Sequence, residues 1–199
     1  MSNNSSFDSE APSEDDSKEE EDTKSLTEKD KEKIKSGLQQ NEEVQNMNLI
    51  NAISKTLTTI LENNKKLKNY RDILKKQSMM YFSANSIPNI TINDYLIRIQ
   101  NYSLMEKSTL ILSLILIDHM CKKSNIVLTP YNIHRILFSS VIISIKYNED
   151  SYYDNNFYAQ IAGIKPNELK LLEYKFLELN DFDVYVTDVE YEQYEQYLS

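Results

Sequence analysis

Only two glycines, Gly37 and Gly163, occur in the 199 residues. That scarcity excludes a Walker phosphate loop, a dinucleotide fingerprint and a kinase glycine loop, which all need several residues permitting close backbone approach. A single cysteine, Cys121, excludes an intramolecular disulfide and a cysteine-rich zinc site. Placed in an apolar helical run, it reads as a small buried thiol. Three arginines, Arg71, Arg98 and Arg135, are too few for bidentate reading of guanine. A formal net charge of −9 opposes association with a phosphate backbone. No direct nucleic-acid binding is expected. His119 and His134 lack zincin spacing, and no nucleophile elbow is present. Most enzyme classes with readable motifs are thereby removed, although an all-α enzyme without a familiar motif stays open.

Long hydrophobic runs are missing too. The greasiest stretch, Leu110 to Ile117, is interrupted by Ser113 and falls far short of the roughly 20 residues a membrane helix needs. The N-terminus has no cationic start followed by an apolar segment. The expectation is a soluble intracellular protein of the cytoplasm, the nucleus or both, with no membrane partner. The pairs Lys65-Lys66 and Lys75-Lys76 are too thin to serve as an import signal.

What is present divides unevenly. Residues 1–42 are rich in Ser, Asp, Glu and Lys and cannot bury enough apolar surface to offset ordering entropy, so they are predicted to be a disordered acidic tail. Ser13 with Asp16 and Ser17 with Glu20 have the spacing an acidophilic kinase reads, and also the spacing of any short acidic serine tail. Ser25 and Glu28 can form a capping box for a transient helix through Lys35. Residues 43–86 form an N-terminal helical extension, because Met47, Ile50, Ile53, Leu57, Ile60 and Leu61 recur at helical spacing. A second, weaker helical stretch covers Leu67 to Met79. Pro88 pushes Ile87 out of the helical region and opens a new domain.

Residues 87–199 read as a compact five-helix array with one further helix after it; strand signals are almost absent. Helix one spans about Thr91 to Met105, with Thr91 or Asn93 as cap, and helix two about Glu106 to Cys121. Helix three starts at Thr129-Pro130 and runs to Tyr147. Its middle is apolar nearly all round, the mark of a central helix. Helix four runs from an Asp154 cap to a Gly163 stop, helix five from Pro166 to about Leu179, and a final helix from Val189 to Tyr197. The fold class is all-α.

Four charges do not suit a plain bundle. Asp118 ends the run Leu114-Ile115-Leu116-Ile117, and Arg98 stands between Ile97 and Ile99. A buried Arg98–Asp118 ion pair is the simplest solution, with two independent surface charges as the alternative. Lys146 follows Ile142 and Ile143 by one turn, at a helix C-terminus that favours cations. Glu173 interrupts the stripe between Leu169 and Leu177. Each alone resembles a surface charge at a helix margin. Together they suggest an apolar patch spanned by a Lys–Glu couple and extended by Phe182, suited to anchoring a partner helix.

The run from His134 to Leu198, with its His-Arg start, Lys146 before an acidic bend, tyrosines around a short helix, Ala-Gly-Ile at 162–164 and a closing Leu-Asn-Asp-Phe, resembles the second half of a cyclin box. More narrowly it is similar to P/U-type, phosphate-pathway and cyclin Y-like cyclins. IPNITINDYLIRIQNYS and LILIDHM resemble the first two box helices, so the likeness covers about Ile87 to Leu198. It implies a single-box regulatory subunit, not itself catalytic and needing no cofactor, that binds and activates a cyclin-dependent protein kinase. Helices three and five of the box would grip the kinase's C helix, while ATP and magnesium would belong to the kinase. By residue-to-residue match, Lys146, Tyr147, Glu173, Leu177 and Phe182 are the kinase-binding positions, and Arg98 and Asp118 the internal pair. After the helix-one Arg, the polar Gln100 and Asn101 stand where cell-cycle cyclins have an apolar docking patch, which disfavours recruitment of Arg-x-Leu substrates. The alternative is a cyclin-fold adaptor in transcription, or another interaction module that activates no kinase. The choice between cell cycle, phosphate signalling and transcription stays open.

Overall fold

The computed structural model describes residues 28–77, 80–103 and 105–198, and among these every regular element is helical. In chain order they are α1 (Glu28–Lys65), α2 (Tyr70–Gln77), α3 (Ile92–Ser103), α4 (Lys107–Ser124), α5 (Ile133–Asn148), α6 (Asn155–Ala162), α7 (Pro166–Leu179) and α8 (Asp188–Leu198). Residues Leu38–Ser199 make one compact unit.

Helix α5 is its axis. Every residue from Ile136 to Ile145 is buried, and the helix packs against α4 and α7. Each large apolar side chain enclosed there contributes roughly 1.5–3 kcal/mol, so together they dominate the polar atoms that share the helix. Those polar atoms are small and mostly satisfied. Ser140 Oγ donates to the Ser113 carbonyl of α4 at 2.6 Å, and Ser113 Oγ to its own Leu110 carbonyl at 2.7 Å. Serines at the crossing let the two helices approach closely without stranding a hydroxyl.

The helix ends follow local chemistry. Thr91 caps α3 by accepting from the Asp94 N–H at 3.0 Å and donating to the Asp94 carboxylate at 2.7 Å. Asp154 caps α6 by accepting from the Phe157 N–H at 2.9 Å, and these backbone hydrogen bonds hold its carboxyl below the usual range. Gly163 closes α6 at φ +71°. Pro166 occupies the first turn of α7, where no intrahelical donor is needed. Helix α5 begins later than the Thr129-Pro130 signal suggests. The Asn132 side chain accepts from Thr129 N–H at 2.8 Å and donates to the Val127 carbonyl at 3.0 Å, shaping residues 129–132 into a turn before the helix.

Helix α1 inserts Leu49, Ile50, Ile53, Leu57 and Leu61 into the same core as α3, α4 and α5. Met47 and Ile60, on the predicted stripe, are left exposed. The helix also reaches further towards the N-terminus than the periodicity does, taking in residues 28–42 of the acidic stretch. Adding good helix formers to an existing helix needs no new nucleus. Ser13, Ser17 and Ser25 lie outside the described residues.

One predicted feature is corrected. Arg98 and Asp118 do not pair. Arg98 is exposed and donates to the Gln160 carbonyl of α6 at 3.5 Å. Asp118 looks the other way, towards α8, where Tyr194 Oη donates to it at 2.5 Å and Lys122 lies 2.6 Å off. The reason is angular: both charges lie at the margin of an apolar face, and the margins chosen by α3 and α4 open on different neighbours. Burial, with the Asp118 hydrogen bond next, pushes the Tyr194 phenol up from its ordinary value. Further clasps join α8 to α4, His119–Glu190 and Lys107–Glu195, both at 2.7 Å.

Two stability measurements check these assignments. In a urea-denaturation double-mutant cycle, Arg98→Ala and Asp118→Ala should show coupling near zero, and Asp118→Ala alone should cost only about 1 kcal/mol. Gly163→Ala should cost about 1 kcal/mol through its positive φ alone, because an added Cβ meets nothing within 4 Å.

Candidate functional site

Three elements converge where α5 ends. Lys146 occupies its last turn, Asn155 opens α6, and Glu173 lies in the middle of α7. Lys146 Nζ sits 2.5 Å from Glu173 Oε1 and 2.6 Å from Asn155 Oδ1. Asn155 Nδ2 donates to the other Glu173 oxygen. The three side chains close a ring in which each holds the other two. Glu173 is buried, its side chain only 12% exposed, while that of Lys146 is 29% exposed. The lysine uses the favourable C-terminal end of a helix dipole and a buried counter-charge at once. Two of its three N–H donors are occupied by these partners.

The bend after α5 is tied to the start of α4. Glu149 Oε1 accepts from the Glu106 N–H at 2.9 Å and from Thr109 Oγ1 at 2.5 Å, so a carboxylate satisfies donors at a helix N-terminus. Asn148 Nδ2 donates to Ser108 Oγ and Thr109 Oγ1, both at 2.9 Å. Tyr147 is thereby presented to solvent, 55% exposed. Further along, the Tyr153 and Phe157 rings stack at 4.2 Å between centroids, and the Tyr153 N–H donates to the buried Tyr158 hydroxyl. Burial raises the Tyr158 pKa.

At the far end of α7 the backbone is strained. Asp181 and Phe182 adopt φ +58° and +56° in succession, each costing roughly 1–2 kcal/mol for a residue with a side chain. The Phe182 N–H donates to the Leu177 carbonyl at 2.8 Å, and Lys123 donates to the Asn180 carbonyl at 2.8 Å. These bonds hold a conformation that leaves the Phe182 ring 58% exposed, edge-on to the exposed Tyr174 at 5.9 Å.

The sequence-predicted positions are therefore distributed as follows. Lys146 and Glu173 are joined directly, Tyr147 and Phe182 are outward-facing aromatics, and Leu177 is half-buried against the core. Asn155 was not anticipated, since a polar residue just after a capping Asp is indistinguishable in sequence from a solvated one. Glu149 and Tyr174 were also missed; their roles depend on α4 and on the turn at 180–182, which no local pattern reveals. Among the described residues, no group of three or more His, Cys, Asp or Glu is placed to hold a metal ion, and no helix is long and apolar enough to cross a membrane.

A family model described as Cyclin matches residues 5–184, and with the all-helical fold this assigns the chain to the cyclin family. Within that family it is of the P/U type. It is similar to Cyclin-U4-1 of Arabidopsis thaliana, 31% identical over 151 residues that cover 75% of this chain and 74% of that protein. Cyclin-U3-1 of the same plant is 36% identical over 109 residues, 55% of this chain and 49% of its own length. The PHO85 cyclin-like protein psl1 of Schizosaccharomyces pombe is 32% identical over 114 residues, 56% and 47% respectively. The chain thus spans about half the length of the latter two. Helix α8 lies beyond the residues that the family model matches.

The ring of Lys146, Asn155 and Glu173 makes a measurable claim. In a Lys146→Ala/Glu173→Ala double-mutant cycle, thermal or urea unfolding should give a coupling of about 1–2 kcal/mol, well above that of a solvent-exposed pair. Asn155→Ala should weaken that coupling, because it releases one oxygen of Glu173.

Proposed function

We propose that this cyclin is a non-catalytic regulatory subunit that binds and activates a cyclin-dependent protein kinase through the surface formed by the end of α5, the start of α6 and the outer side of α7. The observation that carries the reading is the Lys146–Glu173 couple, semi-buried and held in register by Asn155. Family membership supports it, as does the name of the fission yeast relative, a PHO85 cyclin-like protein.

The chemistry suits a partner helix. Glu173 fixes the ammonium of Lys146 so that little side-chain entropy is lost when its remaining N–H meets a backbone carbonyl or carboxylate. Tyr147, Tyr174 and Phe182 supply exposed aromatic area of the kind that dominates interface energetics. Leu177 adds a shallow apolar floor between them and the core. An amphipathic helix laid across this surface would bury its apolar row on the aromatics and set a polar group at Lys146. Holding such a helix in the kinase would favour the active arrangement by binding that state more tightly than the inactive one.

The test is capture of a kinase from the native cell, its identification by mass spectrometry, and reconstitution with purified subunits. Lys146→Ala with Glu173→Ala should abolish activation while the far-ultraviolet circular dichroism stays helical. Each truncation should cost about 2 kcal/mol of binding, roughly thirtyfold in affinity. Phe182→Ala should weaken binding in the same direction, and Lys170→Ala, on an exposed part of α7, should be near neutral. A double variant that still activates the kinase would overturn the proposal.

A further inference from the structure

Without Asp118 as its partner, Arg98 is left with little to hold. It is exposed, and its hydrogen bond among the described residues is the long 3.5 Å contact to the Gln160 carbonyl, so most of the donors of its guanidinium are unused. The same side chain lines a cavity of about 280 Å³ between residues 84–90, α3, α5, the end of α6 and α7. Pro88, Phe138, Ile164 and Leu172 give that cavity apolar walls, and none of its described lining residues is acidic.

A second polar group of the cavity also lacks a partner. Tyr95, one turn before Arg98 on the same side of α3, is 6% exposed and lines the cavity, yet its hydroxyl makes no hydrogen bond with the described residues. An enclosed phenol ordinarily finds an acceptor. Burial pushes the Tyr95 pKa up, while the charges of Arg98 and then Arg135 pull it down, so both guanidiniums stand near this phenol.

The charges in the cavity do not add up to two. Arg135 is compensated by Glu168 and donates to the Tyr81 carbonyl at 3.3 Å. His134 spends its Nε2–H on the Ile90 carbonyl at 2.9 Å, and burial lowers its pKa, which leaves the ring neutral. Arg98 is then the one uncompensated cation of the lining. A single planar guanidinium beside a phenol suits a carboxylate monoanion better than a phosphate dianion. The volume lies at the small end of the range for ligand pockets, roughly 300–1,000 Å³, so the rest of the ligand is one compact apolar group.

We propose that this cavity binds a small apolar monocarboxylate, its carboxylate accepting from Arg98 and from the Tyr95 hydroxyl, and its hydrocarbon part lying against Phe138, Ile164 and Leu172. The free chain binds the acid by itself, so the proposal does not rest on the kinase reading.

The experiment is isothermal titration calorimetry on the full chain with hydrocinnamate, hydrocinnamamide, acetate, phenyl phosphate and a tetrapeptide ending in phenylalanine. Hydrocinnamate should bind at least about tenfold more tightly than its amide, which lacks the charge, and than acetate, which lacks the apolar body. It should also bind more tightly than phenyl phosphate or the peptide. Arg98→Ala and Tyr95→Phe should each weaken hydrocinnamate about tenfold, with Lys170→Ala unchanged. Tyr95→Phe separates binding from folding. It loses no hydrogen bond in the free chain, so its melting temperature should stay at or above that of the parent while its affinity falls. Equal binding of acid and amide, tighter binding of phenyl phosphate or of the peptide, no saturable binding of the acid, or full affinity in either variant would each overturn the proposal.

Discussion

A helix that is apolar on every side must be enclosed on every side, and α5 imposes that condition on the whole unit. Its ten consecutive buried residues, Ile136 to Ile145, leave no face for solvent until the last turn. α4 and α7 are drawn against it, α1 adds its own apolar row to the same core, and α5 meets water only at its ends. The surface proposed for binding is a consequence. Lys146 is the first residue of α5 after that run to escape full burial, so it emerges where the core stops.

That escape is incomplete, and the incompleteness orders the side chain. A fully solvated lysine would be a floppy point charge of little energetic worth, and a fully buried one would need desolvation that few contacts repay. Paired with Glu173 and braced by Asn155, Lys146 is neither. The turn at 180–182 adds a second constraint, since two successive residues at positive φ keep Phe182 outside the core although an aromatic ring gains by burial. Local strain that holds an apolar ring in water, beside the exposed Tyr174, is hard to account for by stability of the free chain.

The charge distribution has a similar logic. The acids of α8 engage one lysine and one histidine of α4, and Glu149 and Asp154 satisfy helix N-termini.

Periodicity and end signals were enough to read most of the helices from the chain itself. The apolar circumference of α5, the Asp154 cap, the Gly163 stop and Pro166 at the start of α7 are decided by neighbours within a turn or two, and such information is contained in any short window. The same reading picked out Lys146 and Glu173, because a charge on a greasy stripe is visible in one dimension. What partners they take is not. Arg98 and Asp118 carried the same signal and went to different neighbours, Gln160 and Tyr194, because a residue at the edge of an apolar face can turn either way. The relative rotation of the packed helices selects between them. Asn155 and Glu149 gained their roles in the same manner, from elements that approach only after the core has closed. The sequence by itself determined which side chains had to leave water and where each helix ended; tertiary packing, by fixing how the helices are rotated about their axes, decided which charges met.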